Sequence, residues 1–347
     1  MPGGAQIAQL SPLVVPVFVS HLGCPHRCIF CDQRQFSHPF GPGEVESAVR
    51  TFLSHCRAPL DRRRLLAFYG GSFTGIDDRR LEEYLTVARQ LMRQGLVHGS
   101  KASIRPDQID AGRIDRLLSA GFVELELGAQ SLDDAVLASS HRGHTARDTM
   151  EAARLIKEAG LGLGIQYMPG LPGEDRPSFL SSVDGILALN PDMVRIYPTV
   201  VLAGTVLEER YAKGAYTPLT LDEAVDRTLY AAVRLENQGV RVVRMGLPLV
   251  DSLKVVAGPA HPCFGFLVRA RGYFHMASAA LKRFGTGATL RVHPRDVPAL
   301  LGHGRENQRR LSFDYCAHDT VPRACVSVNF STNNPCVTLR DVIDHIL

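Results

Sequence analysis

Short apolar runs alternate along this chain with longer stretches in which apolar residues recur every three or four positions. The first pattern marks strands and the second marks amphipathic helices. Strands are expected at 13–20, 65–69, 102–104, 122–127, 161–168 and 193–197. Helices are expected at 43–56, 79–93, 109–120, 145–159, 177–189 and 221–238. A polar loop at 139–144 divides the helical stretch after the fourth strand. Strand and helix thus alternate, which argues for a parallel α/β architecture with right-handed crossovers. Six such units make a partial (βα)6 barrel, TIM-like in kind.

The faces of these strands are unequal. Strands in an ordinary packed parallel sheet are apolar on both sides. Here Glu124 and Glu126 share one face, and Ser103 and Arg105 share another around Ile104. Gly162, Gly164 and Gln166 alternate with Leu163, Ile165 and Tyr167, and Arg195 lies opposite the aliphatic side of its strand. With apolar faces on outer helices, the polar faces line the lumen. Buried Arg, Glu and Gln are costly unless paired or used. Residues 1–250 are read as the barrel and 251–347 as a small α/β appendage. The appendage is expected to hold strands at 289–293, 311–315 and 324–329 and a helix at 273–284.

A chain of 347 residues with 45% hydrophobic content can bury a large core. Its net charge of +4 says little by itself. The distribution says more: residues 251–311 carry ten Lys or Arg against three Asp or Glu, a net +7. Such a block suits a polyanionic partner or a merely solvated face. No run approaches the roughly 18–20 apolar residues that cross a membrane. Residues 1–10 lack the pattern of a secretory signal. Eight cysteines in a chain this long do not read as a secreted disulfide scaffold, so a reducing cytoplasm is expected and no membrane.

The densest chemistry lies early, in Gly-Cys-Pro-His-Arg-Cys-Ile-Phe-Cys-Asp. Cys24, Cys28 and Cys31 form a C-x3-C-x2-C pattern with no fourth cysteine nearby. Full thiolate ligation of a four-iron cluster takes four cysteines, so three leave one iron open. Zinc is the other reading, with His21 or His26 as the fourth ligand. Glycines and polar groups follow several strands, at the ends where parallel barrels build their sites. They include Gly70, Gly71 and Ser72, then Gly128 and Gln130, then Gly170 and Gly173. Cys316, Cys325 and Cys336 are too widely spaced for a compact cluster loop and are read as buried free thiols, with a second cluster as the alternative. Cys56 and Cys263 show no partner in the sequence.

The cysteine pattern resembles that of the radical S-adenosylmethionine (SAM) enzymes. Six further runs resemble the catalytic subunit of Elongator and its bacterial relatives. They are Gly-Gly-Ser-Phe (70–73), Arg-Pro-Asp (105–107), Glu-Leu-Gly-Ala-Gln-Ser (126–131), Arg-Gly-His-Thr (142–145), Met-Pro-Gly-Leu-Pro-Gly (168–173) and Arg-Ile-Tyr-Pro-Thr (195–199). The match spans roughly residues 12–250, in order. The resemblance implies a [4Fe–4S] cluster on Cys24, Cys28 and Cys31. Its open iron would chelate SAM, and one electron would split SAM into methionine and a 5′-deoxyadenosyl radical. Gly70, Gly71 and Ser72 would hold the methionine end and Phe30 the adenine. Glu126 and Gln130 would reach the ribose or nearby polar groups, with Gln166 in the same cofactor set. The resemblance also implies tRNA as substrate at the wobble uridine, for which the basic block after residue 251 would be the platform, and an electron donor such as flavodoxin or ferredoxin. A small metabolite or a protein side chain is the alternative substrate; a non-catalytic iron–sulfur protein is the alternative class.

The chain departs from Elongator in several ways. Its first two cysteines are closer together, and the first strand begins too early for a basic tRNA-holding extension. Fewer than 100 residues follow Val250. No Q/R-x-x-G-x-G/A loop is evident there, and Gly285-Thr286-Gly287 leads into an expected strand rather than a helix. An acetyltransferase domain using acetyl-CoA is therefore not expected.

Overall fold

The computed structural model describes residues 11–19, 21–31, 40–57, 62–249, 253–328 and 336–347. The chain opens with β1 (Leu13–Phe18), α1 (Pro42–His55), β2 (Arg64–Tyr69) and α2 (Asp78–Arg93). It continues through β3 (Ser100–Ile104), α3 (Ala111–Ser119), β4 (Phe122–Gln130), α4 (Asp134–Ser139), α5 (Ala146–Glu158), β5 (Gly162–Tyr167) and α6 (Arg176–Leu189). Then come β6 (Met193–Ile196), β7 (Val201–Leu202), α7 (Val206–Ala212), α8 (Leu221–Asn237), β8 (Arg241–Met245) and β9 (Val255–Ala257). The last part holds α9 (Phe264–Phe284), β10 (Leu290–Val292), α10 (Val297–Leu301), α11 (Glu306–Leu311), β11 (Tyr315–Ala317), β12 (Cys325–Val328) and β13 (Cys336–Thr338).

Helix starts are strongly specified. Each helix from α2 to α8 begins after an Asp or Thr whose side chain accepts the amide three residues on; the caps are Asp77, Asp110, Asp133, Thr145, Asp175, Thr205 and Thr220. Each such cap stabilises its helix by about 1 kcal/mol. The helices separate strands of one seven-stranded parallel sheet in the order β1-β2-β3-β4-β5-β6-β8. This is the expected partial barrel with one strand more than the six read from the sequence. The extra strand, β8, reads Arg-Val-Val-Arg-Met and is mostly exposed, so it lacks the apolar face that marks the others.

The chain divides into two compact units, residues 1–129 with 141–165 and residues 130–140 with 166–347. The boundary expected near residue 250 falls on 250–252, outside the described residues. In the first unit the rings of Phe68 and Phe73 stack at 4.4 Å, and Phe122 lies 5.5 Å from Phe73. In the second unit α9 packs Met276, Ala277 and Ala280 against Leu290, Val292 and Val326 of the small sheet β11-β10-β12-β13.

Three expectations for the appendage are corrected. Residues 311–315 are not a strand: α11 ends at Leu311 and β11 begins at Tyr315. Leu311, Phe313 and Tyr315 alternate because all three pack on the core, without a ladder between them. The expected helix at 273–284 begins nine residues earlier, at Phe264. Cys325 and Cys336 are not free thiols. They are joined as a disulfide, with Cα atoms 6.0 Å apart, because antiparallel β12 and β13 place them diagonally on one face. Cys316 is free and exposed. Among the described residues no helix is long and apolar enough to cross a membrane.

Candidate active site

β1 runs directly into the cysteine loop, and the end of β2 carries that loop. Val19 N–H donates to the Tyr69 carbonyl at 2.8 Å, and His21 N–H to the Gly70 carbonyl at 2.9 Å. Ser72 N–H returns a bond to the Leu22 carbonyl at 3.1 Å. No side chain fits between these turns. A Cβ on Gly23 would lie 2.1 Å from the Ser72 carbonyl oxygen, and one on Gly71 would lie 2.6 Å from that of Leu22. The side-chain-free edge of Gly71 therefore faces protein, and the glycine is required by the seating of the cysteine loop itself. Ser72 is fully buried, and its hydroxyl accepts the Arg105 amide at 3.1 Å. Within the loop, Ile29 is buried and anchors it, while Phe30 is half-buried.

Two arginines converge on Cys28. Arg142 Nη1 donates to its Sγ at 3.0 Å, and Arg142 Nη2 donates to the Gly128 carbonyl at 2.5 Å. Arg105 Nη1 stands 4.0 Å from the same sulfur. Its other nitrogens grip both oxygens of Asp107 at 2.9 and 3.1 Å and donate to the Arg142 carbonyl. Asp107 also lies 4.0 Å from His26 Nε2. The Arg-Pro-Asp and Arg-Gly-His-Thr runs thus meet at the cysteine loop. Burial pushes the Cys24 thiol up, and Cys28 beside it adds to this; Arg105 and Arg142 pull the other way.

The Arg-Gly-His-Thr run does more than supply Arg142. Thr145 caps α5 in a reciprocal box: its hydroxyl accepts the Asp148 amide at 3.2 Å, and the Asp148 carboxylate accepts the Thr145 amide at 2.7 Å. His144 is buried, and among the described residues neither ring nitrogen makes a hydrogen bond of normal geometry. Burial first, then Arg142 and Arg105, pushes it down to about 3, so it is neutral near pH 7.

The lumen side of the first unit holds a buried charge cluster. Lys101 Nζ lies 2.6 Å from Glu126 and also pairs with Glu124, while Tyr69 donates to Glu126 at 3.2 Å. Glu126, expected to reach toward SAM, is held by these partners. Lys101 was missed because the strand was read as starting at Ala102. Extending the Ser103–Arg105 alternation back by one step would have found it.

In the second unit Gln130 has φ 68, and its buried side-chain carbonyl oxygen has no hydrogen-bond partner among the described residues. A non-glycine residue at such a φ stores strain and is a pointer to function. Gln166 is half-buried on β5. Glu174 accepts the Gly170 amide at 2.7 Å and Arg227 at 2.5 Å. Burial nonetheless raises its carboxyl to about 7. Glu174 was not singled out from the sequence, where it reads as one more loop carboxylate.

The basic block is partly offset. Arg271 pairs with Asp226 at 2.5 Å and with Asp222, both outside the block. Arg310 lies over the Phe274 ring at 4.2 Å, and Arg309 donates to the Gly304 carbonyl at 2.7 Å. Gly285 to Ala288 form a turn into β10, so no phosphate-cradling helix start follows that glycine pair.

A three-thiolate iron–sulfur cluster agrees with the donor chemistry at this loop. Soft thiolates are the ligands such clusters take, and the Cys28 sulfur already accepts a hydrogen bond from Arg142 at 3.0 Å, with Arg105 4.0 Å away. Among the described residues no three His, Cys, Asp or Glu side chains already converge closely enough to hold a metal ion. The agreement therefore rests on the donor set and on the arginines.

Fold and loop together are those of a radical SAM protein. The family described as the Radical SAM superfamily matches residues 19–184, and the Radical_SAM C-terminal domain matches 191–273. The chain belongs to the radical SAM superfamily and is an enzyme of it, homologous to tRNA-modification enzymes. The superfamily implies SAM and a [4Fe–4S] cluster. The chain is 34% identical over 265 residues to the tRNA uridine(34) acetyltransferase of Methanocaldococcus jannaschii, across 63% of this chain and 48% of that protein. It is 34% identical over 162 residues to Elongator complex protein 3 of Danio rerio, across 44% of this chain and 29% of that one. The chain thus spans about half the length, or less, of these relatives. A solved structure of the archaeal Methanocaldococcus infernus Elp3 with an N-terminal deletion superposes with TM-score 0.58 at 23% identity. It covers 78% of this chain and 64% of that chain, and shows the shared fold.

Proposed function

We propose that this chain binds a [4Fe–4S] cluster through Cys24, Cys28 and Cys31 and cleaves SAM reductively to modify tRNA at the wobble uridine. The observation that carries the reading is the meeting of the Arg-Pro-Asp and Arg-Gly-His-Thr runs on Cys28. A bound cluster would supply one electron to SAM and so generate the 5′-deoxyadenosyl radical. Gly70, Gly71 and Ser72 hold the cysteine loop in place and offer backbone to the methionine end of SAM. Lys101 and Tyr69 fix the carboxylate of Glu126 on the lumen side. Phe30 belongs to the same SAM-binding set. The similarity to tRNA uridine(34) acetyltransferases supports tRNA as substrate, with the basic residues after 251 as its platform. Flavodoxin or ferredoxin in the cytoplasm would supply the electron.

The test has two stages. Anaerobic reconstitution should load about four irons per chain, and alanine at the three cysteines should abolish loading. Dithionite and SAM should then release 5′-deoxyadenosine. Stable zinc in anaerobically purified protein, or a loaded cluster that never cleaves SAM, refutes the reading. Binding of tRNA should weaken steeply with salt, since counterions are released on binding. Salt-insensitive binding moves the substrate to a small metabolite or protein side chain.

A further inference from the structure

Arg142 is 5% exposed, yet among the described residues it forms no ion pair with a carboxylate. A buried guanidinium without an anion is costly. Arg142 instead donates to the Cys28 sulfur, at 3.0 Å. Arg105 differs: its charge is spent on Asp107, and it stands back at 4.0 Å. The Arg142 side chain is also fixed in place, because Nη2 is tied to the Gly128 carbonyl and its own carbonyl accepts from Arg105.

We propose that Arg142 sets the reduction potential of the cluster held by Cys24, Cys28 and Cys31. The inference rests on the cluster reading above. A four-iron cluster with three thiolates is anionic, and reduction adds one further negative charge. That electron comes from an external one-electron donor; no bond breaks, and Arg142 keeps its proton. A fixed cation and an N–H···S bond at one ligand stabilise the reduced state more than the oxidised one. Hydrogen bonds to the sulfurs and local charge are established levers on such potentials. The contact is partly buried, and charge acts more strongly there than in open water.

The test is a redox titration of reconstituted full-length protein, followed by electron paramagnetic resonance. Arg142→Met should load iron and lower the reduction equilibrium constant at least tenfold, which is 59 mV for a one-electron couple. Arg142→Lys should recover part of the loss, and Arg105→Met should shift the potential less than Arg142→Met. A loaded Arg142→Met protein whose equilibrium stays within tenfold of wild type overturns this proposal alone. A wild-type protein that holds no four-iron cluster overturns the function reading and this proposal with it. Where Arg142→Met does not fold, wild-type protein carrying arginine labelled with 15N in the guanidinium decides. Its reduced cluster should show a 15N hyperfine coupling that Arg142→Lys abolishes, and absence of that coupling overturns the proposal.

Discussion

Lys101→Met removes the one cation of a buried triad and leaves two carboxylates facing each other. The side chain of Lys101 is 4% exposed, that of Glu126 is 1% and that of Glu124 is 16%. Glu124 keeps some water, so the loss of the cation weighs most on Glu126, which keeps the Tyr69 hydroxyl among its partners. Removing one partner of a buried pair costs about 3–5 kcal/mol. A unit of 150–250 residues loses about 2–4 °C of melting temperature per kcal/mol. The first unit should therefore melt about 6–20 °C lower, as followed by calorimetry and circular dichroism. Adding Glu124→Leu and Glu126→Gln to Lys101→Met should restore most of the loss, because no buried charge then lacks a partner. Lys101→Met melting within about 2 °C of wild type would refute the reasoning. So would a triple variant no more stable than the single one, since the cost would then lie in packing rather than charge.

Glu174 makes the second unit pH-sensitive: its folded carboxyl stands at about 7, above its ordinary 4.5. A raised acid favours the folded state below the unfolded value and loses that contribution as pH rises through about 7. The loss is about 3 kcal/mol in all. Thermal melts from about pH 5 to about pH 8 should show it, and Glu174→Gln should flatten the dependence; an equally steep profile in the variant counts against the assignment. Gly71→Ala should unseat the cysteine loop and lower iron loading, because the new Cβ meets the Leu22 carbonyl oxygen at 2.6 Å; normal loading would show that the loop can yield. Alkylation of unfolded, unreduced protein should spare Cys325 and Cys336 while modifying Cys316, and mass spectrometry that finds all three modified would contradict the pairing.

Periodicity made the strand–helix alternation legible, and the glycine-rich runs located the ends of the strands where the site lies. Elements without an apolar face escaped it. β8 carries Arg241 and Arg244, and its place in the sheet comes from pairing with β6, which composition does not reveal. Partners were harder to read than elements. Arg142 was visible as part of a motif, but its sulfur partner lies 114 residues away in sequence. Cys325 and Cys336 were visible as a spacing of 11, yet only the antiparallel register brings them together. Gly71 shows a different limit. A glycine at a strand end invites a ligand explanation, and that explanation is compatible with everything the sequence shows. The Leu22 carbonyl 2.6 Å from its absent Cβ adds a reason internal to the protein. The same holds for Thr145, which the sequence shows only as part of a family-resembling run and which the fold uses to start α5. In this site the distinguishing motifs serve first to position one another. Arg105 holds Asp107 and the Arg142 carbonyl, and the Arg105 amide is itself held by Ser72. The placement of the Cys28 sulfur therefore depends on residues drawn from four separate loops of one compact unit, and a change in any of them should be read first as a change in how that sulfur is held.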